Sequence, residues 1–181
     1  MNAKRALFLD RDGVINIDKN YVHRKEDFIF VEGIFELVRC ANALNYLVII
    51  VTNQAGIGRG FYSEDQFLEL MDWVRGQFLI NGAQIDGVYF CPHHPEHGVG
   101  QYRCDCNSRK PAPGMFLRAA REMGVDLSDS LMIGDRQTDM AAGKEAGVPI
   151  RILLRSVLEV EEESVGNLST SEISNLKLAI P

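Results

Sequence analysis

Three aspartates, Asp10, Asp12 and Asp135, each stand at the end of a short apolar run, and Lys110 directly precedes a proline. Carboxylates gathered in one cleft repel one another and raise their own pKa values, so something positive must sit among them. An oxygen-only set of this kind suits a hard divalent cation that keeps several waters, Mg2+ above all. With Lys110 and the hydroxyl of Thr52 close by, such a site would neutralise an anionic substrate, and a phosphoryl group is the leading candidate. Asp10 is placed to attack phosphorus, forming an aspartyl phosphate that divides one hard displacement into two. Asp12, two residues on in an extended segment, points to the same side and can protonate the leaving oxygen, then deprotonate water. Gly13 lets the chain turn sharply. Any one of these aspartates could simply cap a turn; the set, each member after an apolar run, points to chemistry.

A second group lies between residues 91 and 110. Cys91-x-His93, ten residues, then Cys104-x-Cys106 offers three thiolates and an imidazole, a closed tetrahedral set for structural Zn2+. His94 and His97 are rival nitrogen donors, and Cys40 reads as a core residue of its helix. The expected use of zinc is to stiffen this loop so that Arg109 and Lys110 meet an anion reproducibly.

The elements that must position these groups are legible as short runs apolar at consecutive positions: Ala6 to Leu9, Leu47 to Val51, Gly87 to Phe90, Leu131 to Ile133 and Ile150 to Leu154. Strands buried on both faces read this way. Helical spacing appears from Gly33 to Asn45, from Ser63 to about Ile80, from Gly114 to Met123 and from Asp139 to Ala146, with Ser63 and Gln66 as a capping box. Gly124 and Gly147 mark two stops. The alternation predicts an α/β fold: an open, mainly parallel five-stranded, Rossmann-like sheet with helices on both faces and a zinc-binding loop. Ligands of such sheets bind beyond the carboxyl ends of the strands, where Asp10, Thr52-Asn53-Gln54 and Gly134-Asp135 fall, with Asp139 four residues further. The segment 14–32 is longer than the fold needs and has the length of a lid. Gly56, Gly58 and Gly60 lack the dinucleotide-binding spacing and read as a flexible turn carrying Arg59. Trp73 and Tyr89 read as packing residues.

The 181 residues, 46% hydrophobic and 24% charged, fit one globular domain spanning 1–181. A net charge of −6 argues against nucleic acid as a partner, while leaving room for a local basic pocket. Four apolar residues separate Arg5 from Asp10, too few for a secretory leader, and no run approaches membrane-spanning length. A cytoplasmic monomer without a membrane partner is expected, with free or metal-bound thiols. The acidic stretch Glu159 to Glu163 and the weakly amphipathic end read as solvated surface.

D-x-D-G at Asp10 to Gly13, T-N at Thr52-Asn53, Lys110 before proline and G-D-x-x-x-D at Gly134 to Asp139 together resemble the haloacid dehalogenase superfamily of aspartate-nucleophile phosphatases. The resemblance covers residues 4 to about 155 and implies the strand order 3-2-1-4-5. D-R-D-G-V-I-N at Asp10 to Asn16, T-N-Q-A-G-I-G-R-G at Thr52 to Gly60, C-P-H-H-P at Cys91 to Pro95, C-D-C at Cys104 to Cys106 and R-K-P-x-P-G-M at Arg109 to Met115 narrow it. They resemble the branch that acts on heptose bisphosphate, with most motifs shared by histidinol-phosphate phosphatases. The resemblance makes Asp10 the nucleophile and Asp12 the proton carrier. It makes Asp10, Asp135 and the carbonyl of Asp12 the Mg2+ ligands. Thr52, Asn53 and Lys110 would grip the phosphoryl group, and Asp18, Asn20, Tyr21, Gln54, Arg59, Arg109 and Arg136 would meet a small phosphorylated sugar. Two departures stand out: Val14 replaces a usual Thr, and Asn107-Ser108 intervene before Arg109, which puts that arginine's position in question. A phosphoryl-accepting signalling domain is the rival from another class, but its acceptor should follow strand three, where the chain reads Phe90-Cys91-Pro92.

Overall fold

The computed structural model describes residues 4–154 and the short strand 161–162. Strands β1 (Ala6–Leu9), β2 (Leu47–Asn53), β3 (Gly87–Cys91), β4 (Leu131–Gly134), β5 (Ile150–Leu153) and β6 (Glu161–Glu162) form one sheet in the order β3-β2-β1-β4-β5-β6. The first five are parallel in the expected order. β6 is an addition, pairing antiparallel with β5. Two glutamates carry no apolar signal, so this edge strand is invisible in the sequence. The rest of the acidic stretch and the amphipathic end lie outside the described residues.

Consecutive apolar residues in β1 divide between two cores. Leu7 and Leu9 join Val48 and Ile50 under helices α1 (Ile34–Ala43) and α3 (Glu64–Ile80). Ala6 and Phe8 join Ile49, Val51 and Met132 under α4 (Gly114–Met123) and α5 (Gln137–Ala146). Period-two alternation against two helical layers explains why the strands lack any polar face. The capping box of α3 forms as expected: the Gln66 N–H donates to the Ser63 hydroxyl (3.1 Å), and the Ser63 N–H donates to Gln66 Oε1 (2.9 Å). Trp73 packs edge-on against Phe28, and Tyr89 is buried with its hydroxyl on Glu122. Cys40 is only partly buried.

Two connections differ from expectation in ways that bear on the site. The glycine-rich stretch after β2 is a single helical turn, α2 (Ala55–Gly58), rather than a loose one. A Cβ at Gly58 would lie 2.4 Å from the Pro92 carbonyl oxygen, so this turn is packed tightly against the start of the cysteine loop. The segment 14–32 folds back on itself, with Ile17 N–H bonding to Ile29 O (2.9 Å) and Val31 N–H to Ile15 O (2.9 Å). Val14, Ile15, Val22 and Phe28 are buried in the core, so it is anchored along its length rather than hinged at its ends.

Candidate active site

Asp10 directly follows β1, and its N–H continues the ladder to Ile133 O (3.0 Å), which fixes its backbone to the central strands. Its side chain faces Lys110, whose ammonium lies 2.9 Å from Asp10 Oδ1, 2.6 Å from Asp139 Oδ1 and donates to Val51 O at 2.8 Å. One hydrogen bond and two ion pairs thus surround the ammonium of a side chain that is almost fully buried. Lys110 is itself placed by Asn53, whose amide donates to Lys110 O and accepts from Lys110 N–H, both at 3.0 Å.

Asp139, outside the site set expected from the sequence, belongs to the first turn of α5. Its Oδ2 accepts the Arg136 N–H (3.0 Å), turning the carboxylate back over the strand end toward Lys110. The oxygens of Asp10, Asp135 and Asp139 lie within 4.8 Å of one another. Burial, opposed by Lys110 and reinforced by Asp139 and Asp12, pushes the Asp10 carboxyl up to about 7. Burial and the Asp139 charge also raise Asp135. Among the described residues, Asp135 Oδ1 is buried with no hydrogen-bond partner. An orphaned carboxylate oxygen beside two others is the donor chemistry a hard divalent cation requires, so these residues fit Mg2+. Gly13, at φ 84°, makes room for this: a Cβ there would stand 2.3 Å from Asp135 Oδ2.

The Asp12 carboxylate is outside this trio. Arg11 Nη2 donates to its Oδ1 and Oδ2 (2.7 and 2.9 Å), Asn16 Nδ2 to Oδ1 (3.0 Å) and Gln54 Nε2 to Oδ2 (3.1 Å). Gln54 Nε2 also donates to Thr52 Oγ1 (2.8 Å), and Tyr62 O–H donates to Gln54 Oε1 (2.6 Å). Gln54, assigned to substrate from the sequence, lines the cavity but has both ends of its amide engaged inside the protein.

The cavity measures about 280 Å³. Asp10, Asp12, Thr52, Asn53 and Lys110 line its catalytic end. Asp18, Asn20, Tyr21, Arg59, Arg109 and Arg136 line the remainder, so the sequence-derived substrate set does converge. Arg136 Nη2 bonds Asp18 Oδ2 (2.8 Å), joining α5 to the segment 14–32. Tyr21 meets Phe61 edge-on at 4.9 Å and carries the Arg59 guanidinium 5.8 Å over its ring. Arg109 reaches the cavity despite the Asn107-Ser108 insertion, held by Nη1 on His93 O (3.0 Å) and by its N–H on Cys106 O (2.9 Å). Tyr62 and Thr138 also line it, with no signal in the sequence to mark them, as does His94, which the sequence offers as a rival zinc ligand. His94 accepts the Glu96 and His97 N–H groups on Nδ1, a turn contact that leaves it facing substrate rather than the thiols.

Of the expected zinc ligands, Cys91, His93 and Cys106 gather with donor atoms within 4.8 Å. Cys104 is exposed and stands apart from them. Burial, with Cys106 alongside, pushes the Cys91 thiol up to about 12, a group that only a cation would hold as thiolate.

Asp10, paired with Lys110 at 2.9 Å, follows the first, central strand, not the third, which separates this molecule from phosphoryl-accepting signalling domains and defines an aspartate-nucleophile hydrolase of the haloacid dehalogenase type. Residues 107–166 match the family profile of HAD-hydrolase-like proteins. The chain is 51% identical over 177 residues to the D-glycero-alpha-D-manno-heptose-1,7-bisphosphate 7-phosphatase of Burkholderia mallei, covering 98% of this chain and 92% of that one. It is 49% identical to the D-glycero-beta-D-manno-heptose-1,7-bisphosphate 7-phosphatase of Vibrio cholerae, over 89% of this chain and 87% of that one. Among solved structures, a HAD-like phosphatase from Mesorhizobium loti superposes with a TM-score of 0.84 at 34% identity, over 98% of this chain and 86% of that one. The D,D-heptose 1,7-bisphosphate phosphatase of B. bronchiseptica, complexed with magnesium and phosphate, gives 0.71 at 30% identity, over 80% and 78%. The chain belongs to the family of D-glycero-D-manno-heptose-1,7-bisphosphate 7-phosphatases within the HAD-like hydrolases.

Proposed function

We propose that this protein removes the C7 phosphate of D-glycero-D-manno-heptose 1,7-bisphosphate through an aspartyl phosphate, in the supply of ADP- or GDP-heptose for lipopolysaccharide or S-layer sugars. The observation that carries the reading is one cavity lined both by the buried Asp10–Lys110–Asp139 cluster and by the less buried guanidiniums of Arg59 and Arg109, cationic groups available to a second phosphate. Asp10 attacks phosphorus, the bond from phosphorus to the sugar oxygen breaks, and Asp12 gives its proton to that oxygen. Water then attacks the aspartyl phosphate while Asp12 takes up its proton; the bond to Asp10 breaks and inorganic phosphate leaves. Lys110, fixed by Asp139, supplies permanent positive charge to the phosphoryl oxygens, and Thr52 and Asn53 orient them. Asp10, Asp135 and the Asp12 carbonyl would hold Mg2+, which would add charge neutralisation when bound. The protein acts as one hydrolase domain, a cytoplasmic monomer without nucleic-acid or membrane partners. No helix among the described residues is long and apolar enough to cross a membrane.

Histidinol phosphate carries an ammonium where the sugar bisphosphate carries its second phosphate, and the two arginines disfavour it. Phosphate release with Mg2+ should therefore favour the better anomer of the bisphosphate over histidinol phosphate by at least about 100-fold in kcat/KM, about 2.7 kcal/mol. Both anomers are assayed, with Asp10→Asn as blank. A preference for histidinol phosphate overturns the assignment.

The cysteine loop is proposed to hold structural Zn2+ through Cys91, His93 and Cys106, with Cys104 closing the set. Cys106→Ser should lose the bound zinc and raise KM for the bisphosphate about 10-fold through Arg109, while kcat stays within a few-fold because Asn53 holds Lys110. Full zinc content in that variant, measured by atomic emission, sinks the ligand set.

A further inference from the structure

Arg11 is a charged side chain at 0% exposure. It lies inside the protein on the Phe67 ring, its guanidinium carbon 5.6 Å from the ring centroid. Among the described residues its Nε and Nη1 have no hydrogen-bond partner, so its polar contacts run through Nη2 alone. That nitrogen bonds both oxygens of Asp12 and, at 2.8 Å, the carbonyl of Val22. Burying a guanidinium costs several kcal/mol unless it is well paired. An apolar residue would fill the space without that cost, so its placement calls for a purpose. The arrangement repeats at Asn16, whose Nδ2 bonds Asp12 Oδ1 and the carbonyl of Ile17 at 3.0 Å each. Both donors therefore connect Asp12 to the backbone of the segment that presents Asp18, Asn20 and Tyr21 to the cavity.

We propose that Arg11 is the positioning residue of Asp12, fixing that carboxylate in line with the leaving oxygen and tying it to the substrate-facing segment 14–32. Asn16 and the Tyr62–Gln54 pair complete the frame. The inference rests on Asp12 being the proton carrier. An aryl phosphate such as p-nitrophenyl phosphate has a leaving group that departs unprotonated, whereas the sugar alkoxide needs the proton. Misaligning Asp12 should slow phosphorus–oxygen cleavage for the sugar ester, yet leave the first release of nitrophenolate fast and only retard hydrolysis of the aspartyl phosphate.

The test compares wild type, Asp12→Asn, Arg11→Met and the near-isosteric Tyr62→Phe, each loaded with Mg2+, on both substrates by rapid quench. Arg11→Met should lose about 100-fold in sugar-ester cleavage, the scale of general acid catalysis, while keeping a nitrophenolate burst of about one per site at a rate within a few-fold of wild type. Tyr62→Phe should show the same split about 5-fold, and it decides the question by that split if Arg11→Met does not fold. Equal losses on both substrates, or wild-type rates on both, in a folded variant overturn the proposal. If Asp12→Asn itself shows no split, the proton-carrier reading is what fails, and the inference falls with it.

Discussion

Lys110→Met should melt about 10 °C below wild type and turn over at least about 1,000-fold more slowly. The lysine is the fixed counter-charge for two buried carboxylates, at 2.9 and 2.6 Å, and removing one partner of a buried pair costs about 3–5 kcal/mol. At this chain length each kcal/mol corresponds to about 2–4 °C. Asp10, already raised by burial and by the neighbouring Asp139 charge, then escapes that repulsion only by holding its proton, so the deficit should grow as pH rises. Added Mg2+ should recover part of the melting temperature without recovering the rate, because a cation can offset the carboxylates but cannot replace an ammonium aimed at the phosphoryl group. Differential scanning calorimetry with and without Mg2+, paired with phosphate release, checks both halves. A melting temperature within 2 °C of wild type would mean that the ion pairs contribute no net stability.

Asp10→Asn should behave in the opposite sense on stability while abolishing turnover. Asp10 titrates at about 7 in the folded protein against an ordinary 3.8, chiefly because it is buried, so the native state holds a proton that the unfolded chain gives up. The stability linked to that proton is complete below about pH 4 and is lost as pH climbs through 7. Metal-free wild type should therefore soften across that interval. The asparagine variant should not, and should melt roughly 3 °C higher at pH 8, about 1 kcal/mol, because the benefit of removing the charge is partly offset by the broken ion pair with Lys110. Saturating Mg2+ should stabilise wild type at pH 8 and close this gap. Asp10→Asn less stable than wild type at pH 8 without metal would contradict the burial argument.

The sheet and its loaded carboxyl ends were legible because the governing signals are local. Ala6 to Leu9 and Leu131 to Ile133 are apolar on consecutive positions, as two-sided burial demands, and a carboxylate after each announces the site. Less was legible wherever tertiary contact overrides local preference. Arg11, between two aspartates, carries no apolar signal, yet Phe67 and Val22 enclose it. Asp139 stands in the G-D-x-x-x-D motif, yet the sequence assigns it no role, because its contact with Lys110 depends on the Arg136 N–H that turns its carboxylate over the strand end. Gly56 and Gly58 suggest looseness by composition, but neighbours that would collide with a Cβ make them packing residues. Gln54 faces the cavity by strand position, while Tyr62 draws its amide inward. Cysteine spacing named four ligands, of which three converge, because spacing does not specify which way the bend at 104 presents its thiol.

The paired hydrogen bonds between the Asn53 amide and the Lys110 backbone act as a datum where the cysteine loop rejoins the fold. Chain upstream of that point can lengthen, as Asn107-Ser108 do, without the extra length being transmitted to the ammonium that serves catalysis. Recognition and turnover are thereby separable under mutation: the loop can explore new substrates through Arg109 and its neighbours while the displacement at phosphorus keeps its alignment, a partition that makes this scaffold readily evolvable.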